Sequence, residues 1–133
     1  RGLGDVYKRQ EKNLPFRLLS PGIPQRVNSS FYNVKYIRAY NAYECEVNPE
    51  DAKRLGIKSG DKVRLNNQRG EAFFVARVTT RVAPGVVRTA KCNWRSTNPY
   101  GQNTNTNSLT TGKLTDRGGC SAYHSTRVNL SKA

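Results

Sequence analysis

Two polar stretches hold the side chains best suited to grip a ligand. One is Asn107-Ser108-Leu109-Thr110, with Asp116 a few residues later. The other runs from Ser20-Pro21-Gly22 through Pro24, Gln25, Arg26, Asn28, Ser29 and Ser30. A loop this polar directly after a strand is a place where a ligand can sit. An ordinary surface connection has the same composition, and the residues alone leave both readings open. Neither stretch is a self-sufficient active site. His124 is the only histidine, so a His-based metal centre is not indicated, and no spacing identifies a partner for it. Cys45, Cys92 and Cys120 are odd in number and widely separated. They form no CxxC pair, which argues against zinc or an iron–sulfur cluster, and buried thiols are the plain reading. No nucleophile sits beside a base in a known catalytic motif. No catalytic residue and no metal ligand is therefore assigned.

The elements that must position these loops are short. Phe16 to Leu19 reads as a strand that ends at Ser20-Pro21-Gly22. Glu44 to Val47 reads as another. Asn48 suits an N-cap, because its side chain can accept the free amide hydrogens of a first helical turn. Pro49 fits the first helical position, where its missing N–H costs nothing. Glu50 and Asp51 complement the positive end of the helix dipole, and Gly56 suits the left-handed C-terminal cap. This predicts a helix of about two turns. Ser59-Gly60-Asp61 then turns the chain into Lys62-Val63-Arg64-Leu65, with Val63 and Leu65 on one face. Asn66 to Gly70 is a turn. Glu71 to Thr80 is a strand with Ala72, Phe74, Ala76 and Val78 on one face. Ala83-Pro84-Gly85 breaks it, Val86 to Ala90 follows as a strand, and Thr126 to Leu130 as the last. Strands and turns in succession with a short helix are the pattern of a small barrel. The segment from Asn93 to Asp116 is polar enough for a linker. It contains Trp94 and Tyr100, however, and a long polar loop tied down at both ends is often functional.

At 133 residues the chain has the size of one domain. Its apolar share of 35% predicts a small or barrel-like core. No run is long enough to span a membrane, so no direct membrane insertion is expected. The formal charge of +14 favours polyanions: nucleic acid, an anionic membrane or phosphate-bearing ligands. The basic residues are scattered singly, which a solvated basic face explains equally well. Arg1 to Gln10 resembles translated sequencing-adaptor sequence and shows no periodicity. Residues 1–12 are accordingly read as a non-native or disordered leader, and 13–133 as the domain. Targeting signals upstream of such a leader would be invisible, so the compartment, periplasm or cytoplasm, stays open.

In this order, these segments resemble the C-terminal cofactor-binding domain of the molybdopterin oxidoreductases of the dimethyl sulfoxide reductase type. The matching residues are Glu46 to Ala52, Leu55 to Val63, Arg69-Gly70, Val78-Thr79, Val82 to Val87, Trp94, Asn107-Ser108-Leu109-Thr110 and Asp116. Each piece is weak alone; their ordered co-occurrence from Phe16 to Lys132 is strong. The resemblance implies a mainly β fold, a six-stranded double-psi β-barrel with short helices. It implies a molybdopterin guanine dinucleotide cofactor, usually two per metal (Mo-bis-MGD), in a molybdenum or tungsten oxidoreductase. The metal ligand and any iron–sulfur cluster would come from domains missing here. The implied partners are upstream catalytic domains of the same polypeptide and an electron-transfer iron–sulfur subunit, not nucleic acid.

The resemblance also nominates cofactor-binding residues. Ser20, Gly22, Arg26, Asn28, Ser29 and Ser30 occupy the family's first cofactor loop. Many relatives carry His-Ser or His-Thr where Asn28-Ser29 stands; an Asn still donates and accepts hydrogen bonds but carries no charge. Asn107, Leu109 and Thr110 match the family's Asn-x-Leu-Thr motif, whose Asn can offer donor and acceptor to a pterin or guanine edge. Asp116 matches the acid that follows it, with a structural turn as its other role. Trp94 matches a common Trp after a barrel strand, with core packing as its other role. Tyr123 and His124 lie near a position where some relatives place a Lys close to the cofactor. Arg26 or Arg95 could meet pyrophosphate through charge-assisted hydrogen bonds. Two other functions remain at this stage. One is a basic nucleic-acid-binding barrel using Tyr32, Tyr36, Tyr40 and Tyr43. The other is a double-psi barrel enzyme with its own active site.

Overall fold

A computed structural model describes residues 14–31, 34–38, 43–94 and 102–133. Arg1 to Gln10, Tyr32, Tyr40, Arg95 and Tyr100 lie outside the described residues. Six strands form the frame: β1 (Phe16–Leu19), β2 (Glu44–Val47), β3 (Lys62–Asn67), β4 (Gly70–Val78), β5 (Val86–Thr89) and β6 (Arg127–Lys132). They close into a barrel in the order β1-β5-β2-β4-β3-β6. β1 pairs in parallel with β5, and β2 in parallel with β4. β3 and β6 pair antiparallel. Each half of the chain thus lends its first strand to the other half's second strand, while the two third strands meet. That interlocked exchange is the double-psi β-barrel that the family resemblance implies.

Alternation along the strands fills the interior. Phe16, Leu18, Val47, Val63, Leu65, Ala72, Phe74, Val87, Val128 and Leu130 form one buried cluster. Val78, expected on the same face as Phe74, is only partly buried, at the outer end of β4. Closure removes the exposed sheet edges that an open sheet of this size would carry.

The helix Pro49–Leu55 is capped as its sequence requires. Asn48 Oδ1 accepts from the Glu50 amide at 2.9 Å, and Gly56 takes the left-handed conformation at φ 67°. Asn48 does a second job, donating through Nδ2 to the Val82 carbonyl at 2.8 Å. Asp51 is more than a complement to the helix dipole. It is buried, accepts from the Gly85 amide at 2.7 Å and pairs with Arg54 at 3.0 Å. The helix therefore anchors the Ala83-Pro84-Gly85 turn that launches β5.

Some boundaries differ from the sequence reading. The turn after β3 is only Gln68-Arg69, because Asn66 pairs with Glu71 and Asn67 with Gly70. Asn67 closes it by accepting from the amides of Arg69 and Gly70 at 2.9 and 3.3 Å. β4 and β5 stop one or two residues short of their expected ends, whereas β6 runs on to Lys132 alongside β3. A four-residue helix, Lys35–Arg38, was not foreseen; it is too short to display a period and has no acidic first turn.

Candidate functional site

The loops that leave β1 and β5 emerge side by side, because these strands are parallel neighbours. The Lys91 amide donates to the Pro21 carbonyl at 3.1 Å and ties the two exits together. Just before β6, a 3-10 turn at Tyr123–Ser125 is held against β1. There Arg17 Nε donates to the His124 carbonyl at 2.8 Å, and the Leu18 amide to the Thr126 carbonyl at 2.9 Å. The third contributor is a 3-10 turn at Thr106–Ser108 in the long polar loop.

That loop is far from a free linker. Asn103 Nδ2 donates to the Glu71 carbonyl and to Ser108 Oγ, both at 2.8 Å. The Phe73 amide donates to the Asn103 carbonyl at 2.7 Å. Asn105 Oδ1 caps the turn by accepting from the Asn107 amide at 3.0 Å. Leu109 drives its side chain into the core, and its carbonyl accepts from Asn67 Nδ2 at 2.8 Å and Arg69 Nε at 3.1 Å. The loop also presses on the β3–β4 hairpin: a Cβ added at Gly70 would lie 2.9 Å from the Ser108 carbonyl oxygen. Asn107 is thus presented from a fixed turn, and among the described residues its exposed side-chain amide has no hydrogen-bond partner.

These elements enclose a cavity of about 350 Å³, lined by Ser20, Pro21, Gly22, Lys91, Cys92, Asn107, Tyr123 and His124. Ser20 is only 9% exposed, and its hydroxyl has no hydrogen-bond partner among the described residues. Among the described residues no carboxylate lines the cavity, while Lys91 brings a positive charge. A cavity with these donors and no acid is suited to a polar anion.

Of the residues nominated from sequence, Ser20, Gly22, Asn107, Tyr123 and His124 converge here. The other nominated residues that are described do not line the cavity. Leu109 is a core residue. Thr110 Oγ1 donates back to the Asn107 carbonyl at 3.2 Å and so stiffens the turn. Asp116 lies exposed in a small hairpin closed by the Leu114–Ser121 bridge, in line with its structural-turn role. Arg26 is buried, and Asn28, Ser29 and Ser30 are exposed on a turn closed by the Ser30 amide donating to the Val27 carbonyl at 2.9 Å. Asn28 itself takes a left-handed φ of 53°. Trp94 is 40% exposed, so plain core packing does not describe it.

Sequence reasoning missed Lys91 and Cys92. They become neighbours of the first loop only through the β1–β5 pairing, which no local pattern reveals. The buried-thiol expectation holds for Cys45 alone. Its thiol sits in the barrel interior, where burial, reinforced by the Glu46 carboxylate, pushes its pKa far up and keeps it protonated. Cys92 is partly exposed and Cys120 exposed, because both lie in loops outside the strand alternation. Among the described residues, no group of three or more His, Cys, Asp or Glu is placed to hold a metal ion. Nor is any helix among them long and apolar enough to cross a membrane.

A second cavity of about 220 Å³ lies around Glu44, Glu46, Arg77, Arg81 and Arg88. Its charges answer one another: Arg88 and Arg81 meet Glu46 at 3.0 and 3.4 Å, and Arg77 meets Glu44 at 3.3 Å. An anion entering there would compete with carboxylates already in place.

Comparison with known proteins adds to this geometry. The family model described as "Molydopterin dinucleotide binding domain" matches residues 16–127. Dimethyl sulfoxide reductase DmsA of Escherichia coli is 36% identical over 109 residues, 82% of this chain and 12% of that protein. The probable oxidoreductase YoaE of Bacillus subtilis is 36% identical over 107 residues, 80% of this chain and 15% of that protein. The chain therefore spans only a small part of the curated relatives it matches. Among solved structures, acetylene hydratase from Pelobacter acetylenicus superposes with a TM-score of 0.78 over 97% of this chain and 20% of that one. At 16% identity that likeness speaks to the fold alone.

Proposed function

We propose, on the premise that this chain belongs to the molybdopterin dinucleotide-binding domain family, that it holds and orients Mo-bis-MGD within a larger oxidoreductase. The observation that carries the reading is convergence. Ser20 and Gly22, Asn107, and Tyr123 and His124 come from three separate stretches of sequence, and all line one cavity that has no carboxylate among the described residues. The residues fit the group: a nearly buried serine hydroxyl and an exposed amide without partners, beside a lysine, suit a polar, anionic ligand. Family membership favours this reading over a basic nucleic-acid-binding barrel.

In such an enzyme the cofactor, when bound, supplies the metal-centred redox chemistry. This chain supplies position. Asn107, fixed between the Asn105 cap and the buried Leu109, presents donor and acceptor to a heterocycle edge. Ser20 adds a hydroxyl from the loop tied to β5, and His124 adds a ring nitrogen from a turn fixed on β1. Arg26, Asn28, Ser29, Ser30, Trp94, Thr110 and Asp116 lie outside the cavity; the exposed Asn28, Ser29, Ser30 and Trp94 would give a more extended contact surface for a bulky dinucleotide, while Arg26, Thr110 and Asp116 would serve it through the loops they belong to. Residues 13–133 form the binding domain, and the partners are catalytic domains upstream in the same polypeptide. The small share of DmsA and YoaE that the chain covers supports this. The isolated chain accordingly has no turnover of its own.

The test is an Asn107→Ala substitution in the full-length enzyme, read as guanine nucleotide released per polypeptide after denaturation. A clear fall in content with folding unchanged is expected. Unchanged content would remove Asn107 from the site.

A further inference from the structure

We propose that Lys91 holds a phosphate group of the dinucleotide, its ammonium being the positive charge that makes this cavity selective for an anionic ligand. The assignment rests on the cofactor reading above and adds a residue that neither the sequence motifs nor the matched segments single out. Three observations carry it.

The first is placement. The Lys91 backbone is pinned by its 3.1 Å hydrogen bond to the Pro21 carbonyl, at the seam where the β1 and β5 exits meet. Its stem lies across Gly22, where an added Cβ would stand 3.4 Å from Lys91 Cε. Gly22 offers no side chain to lift the lysine away, so the stem is laid along the cavity wall. Lysine commonly packs its methylenes in this way while leaving the ammonium accessible.

The second is charge balance. Among the described residues Lys91 has no ion-pair or hydrogen-bond partner for its ammonium, and no Asp or Glu lines the cavity. The contrast is with the cavity around Glu46, where each guanidinium already faces a carboxylate. A point charge without a counter-ion, partly removed from water, attracts a phosphate more strongly than one already neutralised.

The third is company. Ser20, nearly buried and without a hydrogen-bond partner, lines the same cavity, as do Asn107 and His124. A phosphate has several acceptor oxygens, and hydroxyl and amide donors beside a lysine are a set that can share them.

The test uses the 133-residue chain with guanosine diphosphate as the probe and guanosine as the uncharged control. Affinity is read by calorimetry, and occupancy by the alkylation rate of Cys92 relative to Cys120, followed by mass spectrometry. Cys92 lines the cavity, whereas Cys120 is exposed away from it, so each sample carries its own control. The unaltered chain should bind the diphosphate and shield Cys92 but not Cys120. Lys91→Gln should weaken diphosphate binding by about tenfold, the usual scale for a lost charged hydrogen bond. It should leave guanosine binding as it was, and Lys91→Arg should retain most of the affinity. Equal diphosphate affinity in the unaltered chain and in Lys91→Gln, with Cys92 shielded in both, overturns the role of Lys91 and leaves the cofactor reading standing. Absence of both binding and shielding in the unaltered chain overturns the cavity as a phosphate site altogether. A Lys91→Arg loss as large as that of Lys91→Gln also counts against it, because charge would then not be what matters.

Discussion

Gly70→Ala should loosen the turn that presents Asn107, although the residue is far from the cavity in sequence. An added Cβ would stand 2.9 Å from the Ser108 carbonyl oxygen, where ordinary contacts begin at 3.4 Å. The carbonyl would have to withdraw by about 0.5 Å, and the turn has little slack to allow it. Ser108 is bonded to Asn103, the next residue is the fully buried Leu109, and the Leu109 carbonyl is held by Asn67 and Arg69. Overpacking of this kind costs about 1–3 kcal/mol. Ala is otherwise better than Gly within a strand by about 0.5–1 kcal/mol. The net loss is therefore centred on about 1 kcal/mol, which a urea midpoint resolves when the slope is about 1–3 kcal/mol per molar. Gly112→Ala is the control in the same loop: an added Cβ there meets nothing within 4 Å, and its φ is not positive. The expected result is a lowered urea midpoint and a shifted Asn107 amide resonance for Gly70→Ala, with neither for Gly112→Ala. A Gly70→Ala chain as stable as the original, or equal loss from both substitutions, would refute the reasoning.

Asn48→Ala removes both the helix cap and the bond to the Val82 carbonyl, and should lower stability by about 2–3 kcal/mol in thermal or urea unfolding. Asn48→Asp keeps the acceptor and loses the donor, so it should fall between the two. Asp61 titrates below the ordinary 3.8 of an aspartate, because the Lys58 amide and then Lys132 favour its charged form. Its folded pKa is depressed, so its contribution is complete above the unfolded value and is lost as pH falls through the folded one. Asp61→Asn should therefore flatten the decline in stability on acidification below about pH 4; an unchanged acid limb would contradict that.

Much of the frame was legible because its signals are local. Asn48, Pro49 and Gly56 announce a helix at both ends, and alternation in Lys62 to Leu65 and Glu71 to Thr80 marks faces that are in fact buried. The site was legible in part. Ser20, Gly22, Asn107, Tyr123 and His124 were named from motif order, and they meet. Lys91 and Cys92 were not assigned to the site, because their position depends on a parallel pairing between strands some seventy residues apart in sequence. Leu109 was named for the ligand and belongs to the core: an apolar residue inside a polar motif anchors the motif. Asp51 hides in the same way. Its place in the first helical turn suggests a dipole partner, whereas its tie to the Gly85 amide exists only once the barrel has closed. The thiols follow the same logic, since alternation buries Cys45 in a strand and has no hold on Cys92 or Cys120.

The most direct measurement is equilibrium dialysis of the 133-residue chain against molybdopterin guanine dinucleotide and, in parallel, against duplex DNA across a salt series. Saturable binding of the dinucleotide, weakened by Asn107→Ala, with at most weak and non-saturating DNA binding, is the predicted result. Tight DNA binding with a steep salt slope and no retention of the dinucleotide would contradict the claim that this barrel is a cofactor holder.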